Sequence, residues 1–434
     1  MPTLRFKAFC FVFGAYNLSL IQSAQVFFLG GGVLRILVSD LFTISFISLL
    51  VAEAKKRNVA HSPHLFVVVV GLVGLAVFAS CIGLVNNPTN SVLRELRIWM
   101  VFIGLFYSFC LAMSAESGQI IIKWVAYGSV AGSFIYIMVG SALFPSVEVF
   151  REYQSIYGEA GAESFRMAIS QKFKVAPYML CVALLVCTQQ LFSPSSRARD
   201  VLLGGMILAC VVYVALQSNM RSALVAVVLS GVAFFTLRTF SSATALKIIV
   251  GFVGLILLGL LAILSYGEVL SESLVNDRFY EQILEKGIFS KDFSNRLYAL
   301  DYALEQAVQG GAGLGLGAAS SFGEGVLWEV RVHPVDSLVL YMSMTFGFLS
   351  MPILGVAVLV YILTLCAYLL TLIKRSSFES ESWVGFLAVV SLSVWMLNGF
   401  NDSPFVYIPD VGASALVFSL CFVYLFKKWE RNYA

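Results

Sequence analysis

Leu65-Phe-Val-Val-Val-Val-Gly-Leu-Val-Gly-Leu-Ala-Val-Phe-Ala-Ser-Cys-Ile-Gly-Leu-Val85 is the stretch on which the fold turns. It carries no charge, and a helix of about 20 such residues crosses the ~30 Å of hydrocarbon in a bilayer. Comparable apolar runs stand near 8–29, 33–52, 94–114, 119–144, 176–192, 201–217, 222–237, 247–266, 347–372, 383–400 and 411–427. Together they predict an all-α polytopic membrane protein of about twelve transmembrane helices. Composition agrees. The 434 residues are 59% hydrophobic and 12% charged, with a mean hydropathy of +0.88, against a charged share of about 25% in soluble domains.

Orientation follows from the cations. Lys55-Lys56-Arg57, Arg197 and Arg199, Arg238 and Lys247, Lys374-Arg375 and Lys427-Lys428 occupy alternate connections, which predicts that those connections and both termini are cytoplasmic. Arg5 and Lys7 precede an apolar stretch as in a signal peptide, but no Ala-x-Ala site follows and another run comes next; the first run is expected to be an uncleaved helix. The net charge of +3 gives no reason to expect nucleic acid. All eight cysteines fall inside apolar runs without metal-ligand spacing, so they read as small core- or lipid-facing residues.

Three regions result. Residues 1–266 hold spans one to nine and a smaller external loop at 145–175. Residues 267–346 form a large extracytoplasmic loop between the ninth and tenth spans. Residues 347–434 hold the last three spans and a short cytoplasmic tail. Within the large loop, Phe293 to Gly347 concentrates Arg296, the run Gly311-Ala-Gly313-Leu-Gly315-Leu-Gly317, Arg331, His333 and Asp336. In so apolar a chain, this is where chemistry is expected.

Ser294 is placed to cap a helix over Asn295–Gln309, with Leu297, Leu300, Leu304 and Val308 as its apolar stripe and Gly310-Gly311 as its stop. Residues 336–344 predict a short helix, Gly347 a turn into the next span, and Pro352 a kink. Gly313-Leu-Gly315-Leu-Gly317-Ala318 has the letters G-x-G-x-x-A but no βαβ context, which leaves tight loop packing or close approach to a phosphate. No internal repeat is evident, a point against a repeat-built transporter. Arg35 and Asp40 inside the second span read as cavity-lining residues or as a helix pair.

His61 and His64 sit in a basic connection and read as solvated. His333 stands alone outside; it is either a general base for a hydroxyl nucleophile or a loop histidine before Pro334. One histidine with Asp336, Glu329 and Glu324 falls short of zinc ligation. The carboxylates Asp277, Glu281, Glu285, Asp292, Asp301 and Glu305 read as a solvated face more simply than as a hydrolase pair. Arg94, Arg97 and Arg221 break the positive-inside pattern. With Arg296 and Arg331 they suit a diphosphate, because the planar guanidinium binds phosphate oxygens in pairs and keeps its charge; interfacial snorkelling is the simpler reading of any one of them.

Ser218-Asn-Met-Arg221-Ser-Ala, Asn295-Arg296-Leu-Tyr, Gly311-Ala-Gly313-Leu-Gly315 and His333-Pro-Val-Asp336-Ser-Leu-Val-Leu-Tyr followed by Gly347 occur in an order that resembles the O-antigen ligase and O-antigen polymerase superfamily of bacterial membrane glycosyltransferases. The family often has Asn after the histidine; here Pro334 stands there, and Asp336-Ser337 supply the nearby polar groups. The resemblance implies transfer of a glycan from an undecaprenyl-diphosphate donor to an acceptor hydroxyl, with inversion and without metal, nucleotide or other cofactor. It implies that Arg221 and Arg296 bind the diphosphate, that His333 deprotonates the acceptor, and that Arg94, Arg97, Arg331 and Asp336 position substrate. It places the active site on the periplasmic face of the bacterial inner membrane. Polymerisation of surface polysaccharide repeats is the favoured form, and ligation to lipid A-core the alternative. Expected partners are the lipid-linked donor, a glycan or lipid A-core acceptor, membrane lipid, and a chain-length regulator or flippase. A flippase or exporter of lipid-linked glycan is the alternative of another class.

Overall fold

A computed structural model describes residues 4–18, 33–56, 63–113, 118–143, 177–192, 198–217, 227–228, 230–232, 234, 305, 311–318, 338–374, 380–399, 405 and 408–433. The elements are helices: α1 (Leu4–Asn17), α2 (Val33–Lys56), α3 (Pro63–Asn86), α4 (Thr89–Met113), α5 (Gly118–Leu143), α6 (Pro177–Phe192), α7 (Ala198–Gln217), α8 (Leu338–Phe346), α9 (Ser350–Lys374), α10 (Ser380–Gly399) and α11 (Ile408–Tyr433), with a 3-10 turn at Gly347–Leu349. Among the described residues, Pro63–Asn86, Thr89–Met113, Ala198–Ala215 and Leu338–Thr371 are long and apolar enough to cross a membrane, and Tyr178–Leu191, Trp383–Gly399 and Asp410–Phe426 are shorter apolar helices. This is the make-up of a helical membrane protein. The predicted run at 247–266 and the proposed helix over Asn295–Gln309, apart from Glu305, lie outside the described residues.

The physical reason for helix is plain in α3. Val67 to Val70 are β-branched and would suit a strand in water. Hydrocarbon offers no water to satisfy a strand's backbone groups, whereas a helix satisfies them locally. The helix stops at Asn86, ahead of Pro88, where the chain is biased away from helical dihedrals.

The chain forms two compact units, one from Thr43–Ile122 with Phe289–Ala434 and the other from Leu4–Phe42 with Lys123–Ile288. In the first, α4 is the central helix. Most of its length from Ile98 to Met113 is buried, while α3 and α9 turn Phe66, Val70, Phe78, Leu359 and Ile362 outward, as lipid-facing helices do. Ser419 Oγ of α11 donates to the Phe106 carbonyl of α4 at 3.1 Å. Trp395 Nε1 of α10 donates to Ser414 Oγ of α11 at 2.8 Å, and Ser393 Oγ of α10 to the Tyr361 hydroxyl of α9 at 3.2 Å. Small hydroxyl residues thus join helices where lipid provides no hydrophobic drive between them. In the second unit, α6 is enclosed from Tyr178 to Cys187. Ser129 Oγ of α5 donates to the Leu18 carbonyl at the end of α1, 2.6 Å away, and Tyr127 of α5 donates to Gln190 of α6.

Of the cysteines, Cys10, Cys110, Cys181, Cys187 and Cys421 are buried and Cys81 and Cys366 are exposed; all eight are unbridged. His64 is exposed, yet it is not simply solvated: its ring stacks on Phe426 at 5.2 Å. Pro352, expected to kink the helix, interrupts no intrahelical hydrogen bond. It sits in the first turn of α9, where its missing N–H has no intrahelical role, and the discontinuity falls earlier, at Gly347.

Candidate functional site

The site is organised by a break between α8 and α9. Gly347 has φ +51°, a left-handed conformation that an L side chain resists. In a continuous helix the Met344 carbonyl would accept from Phe348. Instead it accepts from Leu314 N at 2.7 Å, the Thr345 carbonyl accepts from Gly315 N at 3.0 Å, and Phe348 N donates to the Gly311 carbonyl at 2.9 Å. The glycine run therefore fills the break, and the backbone groups freed by the interruption are satisfied there, as a membrane interior demands.

The same run is stapled to the end of α3. Leu316 N donates to the Ala79 carbonyl at 2.9 Å. Asn87 Nδ2, just past α3, donates to the carbonyls of Leu314 at 2.7 Å and Leu316 at 3.1 Å. Gly315, with φ +76°, lies so close to Gly83 that an added Cβ would collide with its backbone and stand 2.6 Å from the Ala79 oxygen. Of the two readings the sequence left open, loop packing accounts for this stretch: the amides of Leu314, Gly315 and Leu316 are spent on protein carbonyls rather than turned to a ligand.

Below the run, α8 is held by a hydrogen-bonded chain. Trp99 Nε1 of α4 donates to the Tyr341 hydroxyl at 3.1 Å, and that hydroxyl is hydrogen-bonded to the Glu95 carboxyl. Glu95 and Trp99, four residues apart on α4, thereby clasp one tyrosine. Glu95 is only 3% exposed; burial of an acid inside a membrane helix is costly enough to mark a site. Trp99 also stacks on Phe405 at 4.8 Å and meets Phe346 edge-on at 5.6 Å.

From this cluster an apolar slot of about 690 Å³ runs between α3 and α9. Val68, Leu72 and Leu75 form one wall and Ile353 to Leu370 the other, with Phe102, Phe106, Phe418, Phe422 and Phe426 along the floor and Leu338, Trp99 and Phe405 at its head. Ile353 to Leu370 corresponds to about 26 Å of helix at ~1.5 Å per residue, close to the depth of a bilayer's hydrocarbon.

Arg94 and Arg97 lie on the first turns of α4, beside the glycine run, Arg94 exposed and Arg97 half-buried. At about 100° per residue, Glu95 is on the Trp99 face, whereas Arg94 and Arg97 point well away from it. They stand at the head of the site without lining the slot. Arg221, Arg296, Arg331, His333 and Asp336 lie outside the described residues. The expected helix over residues 336–344 is present as α8, beginning two residues after Asp336 and five after His333. Asp40, in α2, is half-buried. Among the described residues no group of three metal-ligating side chains converges.

Glu95, Trp99 and Asn87 were not singled out from sequence, and Tyr341 stood only as the end of the run that begins at His333, with no role assigned. A signal existed for Glu95: it is four residues before Trp99 on the face that carries Phe102 and Phe106. No protein-family model matches the chain, and no curated protein matches it.

Proposed function

We propose that this protein is a membrane glycosyltransferase that moves a glycan from an undecaprenyl-diphosphate donor to an acceptor hydroxyl on the extracytoplasmic side, polymerising surface polysaccharide repeats. The observation that carries the reading is the bilayer-deep apolar slot. Its head adjoins the start of α8, the element that directly follows His333 and Asp336 in the chain. A slot of that depth, floored by aromatic rings, suits a polyprenyl tail, whose diphosphate then emerges at the end that carries Arg94 and Arg97.

In this reading Arg221 and Arg296 grip the diphosphate and neutralise the charge that grows on it as the glycosidic bond breaks. His333 takes the proton of the acceptor hydroxyl as that oxygen attacks the anomeric carbon, and attack opposite the leaving group inverts the centre. Arg94, Arg97, Arg331 and Asp336 position the glycan. The glycine run ties the end of α8 to α3, which braces the short helix that follows His333 in the chain. The leaving group brings its own phosphates, so the reaction asks for no nucleotide.

The test is photolabelling with a polyprenyl-diphosphate analogue bearing a diazirine in its tail. Label on slot residues of α3, α9 and α11, lost in Ala357→Trp, supports the reading. Uniform labelling of lipid-facing residues, unchanged in that variant, refutes it.

A further inference from the structure

We infer that the second unit carries a site for the phosphate head of an anionic membrane phospholipid, built from Lys7 of α1, Lys123 of α5 and Arg199 of α7. This site is independent of the glycosyl-transfer reading.

Three helices bring these cations to one place. Lys123 is five residues inside the start of α5, about 8 Å along the axis, and its side chain is 23% exposed. Its ammonium lies 5.7 Å from the centres of both the Trp124 and Tyr127 rings and 3.9 Å from the Asp200 carboxylate. Arg199 adjoins Asp200, which reaches Lys123, and Phe11, one turn beyond Lys7, meets Trp124 edge-on at 6.4 Å, so both cations stand near enough for their charges to act on Lys123. Among the described residues the cluster thus holds three positive charges against one carboxylate, that of Asp200, an excess of two at the ends of apolar helices. Like charges so placed repel, and a phosphodiester supplies the countercharge. Arg199 offers it a two-pronged donor and the lysines point charges.

The surface beside the cluster selects a lipid over a free anion. Arg199, Leu202 and Met206 share one face of α7 at i, i+3 and i+7, and Leu202 and Met206 are 65% and 53% exposed. Charge at the helix start with bare apolar surface below it matches a head and its acyl chain. Trp124, half-buried, sits at the same level, where amphipathic rings favour the interface. Simple scatter of interfacial lysines does not account for Lys123, which is largely covered rather than reaching into water.

The test is native mass spectrometry of the full chain released from bilayers containing equal phosphatidylglycerol and phosphatidylcholine. The wild type retains phosphatidylglycerol preferentially. Lys7→Gln and Arg199→Gln, both at helix starts and outside the core, each lower that preference about fivefold, the equivalent of ~1 kcal/mol per interfacial cation. Asp200→Asn removes the competing carboxylate and raises it. Equal retention of the two lipids, or an unchanged preference in all three variants, overturns the site. Displacement of phosphatidylglycerol by inorganic phosphate at equal concentration also overturns it, since that outcome describes an anion site without a lipid.

Discussion

Replacing Gly315 and Gly311 by alanine separates two costs that the glycine run combines. Both have positive φ, +76° and +58°, so each substitution carries a left-handed penalty of about 1–2 kcal/mol. For Gly311 that is the whole cost, because an added Cβ meets nothing within 4 Å. For Gly315 the Cβ drives into the Gly83 backbone and the Ala79 oxygen. Relieving that overlap costs a further ~1–3 kcal/mol. Withdrawing the loop from α3 strands the Leu316 N–H, now bonded to the Ala79 carbonyl at 2.9 Å, for about 1–3 kcal/mol more. Gly315→Ala is therefore predicted to be less stable than Gly311→Ala by ~2–6 kcal/mol. Reversible unfolding in mixed micelles with rising SDS fraction, followed by tryptophan fluorescence, gives both values on one scale. Agreement of the two variants within about 1 kcal/mol, well below the ~2 kcal/mol floor of the summed terms, would refute the claim that the run is stapled to α3 by close backbone contact.

Asn87→Ala loses two bonds to the run and is predicted to cost about 1–3 kcal/mol in the same assay. Asn87→Asp at neutral pH is predicted to cost more, since a carboxylate then faces the Leu314 and Leu316 carbonyls; its deficit shrinks as acid protonates the introduced group. Tyr341→Phe takes the acceptor from Trp99 N–H and a donor from Glu95, for about 1–3 kcal/mol, with a shift in Trp99 emission; an unaltered spectrum and midpoint contradict the Trp99–Tyr341–Glu95 chain. Arg221→Lys and Arg296→Lys are predicted to lower glycan transfer at least about tenfold with folding intact, because a point charge replaces a fork. Arg94, exposed and placed to position the glycan rather than to grip the diphosphate, tolerates Lys within about threefold because no fork is lost there; wild-type rates in both Arg221→Lys and Arg296→Lys remove the bidentate argument.

The fold's helical membrane character was legible wherever a run was long and uncharged, as at 65–85, because in hydrocarbon such a run has one local solution. The short helix at 338–346 and the turn at Gly347 were also legible, from a glycine standing between two apolar segments. What fills that turn was not. Gly311 and Phe348, or Gly315 and Ala79, are joined across long sequence separations, and no periodicity reports such a contact. Proline suggested a kink at 352 only because the helix start could not be located from sequence; three residues into α9 it breaks nothing. Glu95 was overlooked because it lies between Arg94 and Arg97, where the cations drew the reading, although its helical phase places it inward. The slot depends on α3 and α9 leaving a gap, which is a property of packing rather than of either run.

Glycan transfer is to be measured on the purified chain itself. The protein is incubated without metal or nucleotide with a synthetic undecaprenyl-diphosphate oligosaccharide, alone and with lipid A-core, and products are read by gel and mass. The expected result is a ladder from donor alone that disappears in His333→Ala while the variant's unfolding midpoint is unchanged. Product formed only with lipid A-core contradicts polymerisation and makes the chain a ligase. No product from several donors, with lipid-linked glycan instead carried across proteoliposomes, contradicts glycosyl transfer altogether.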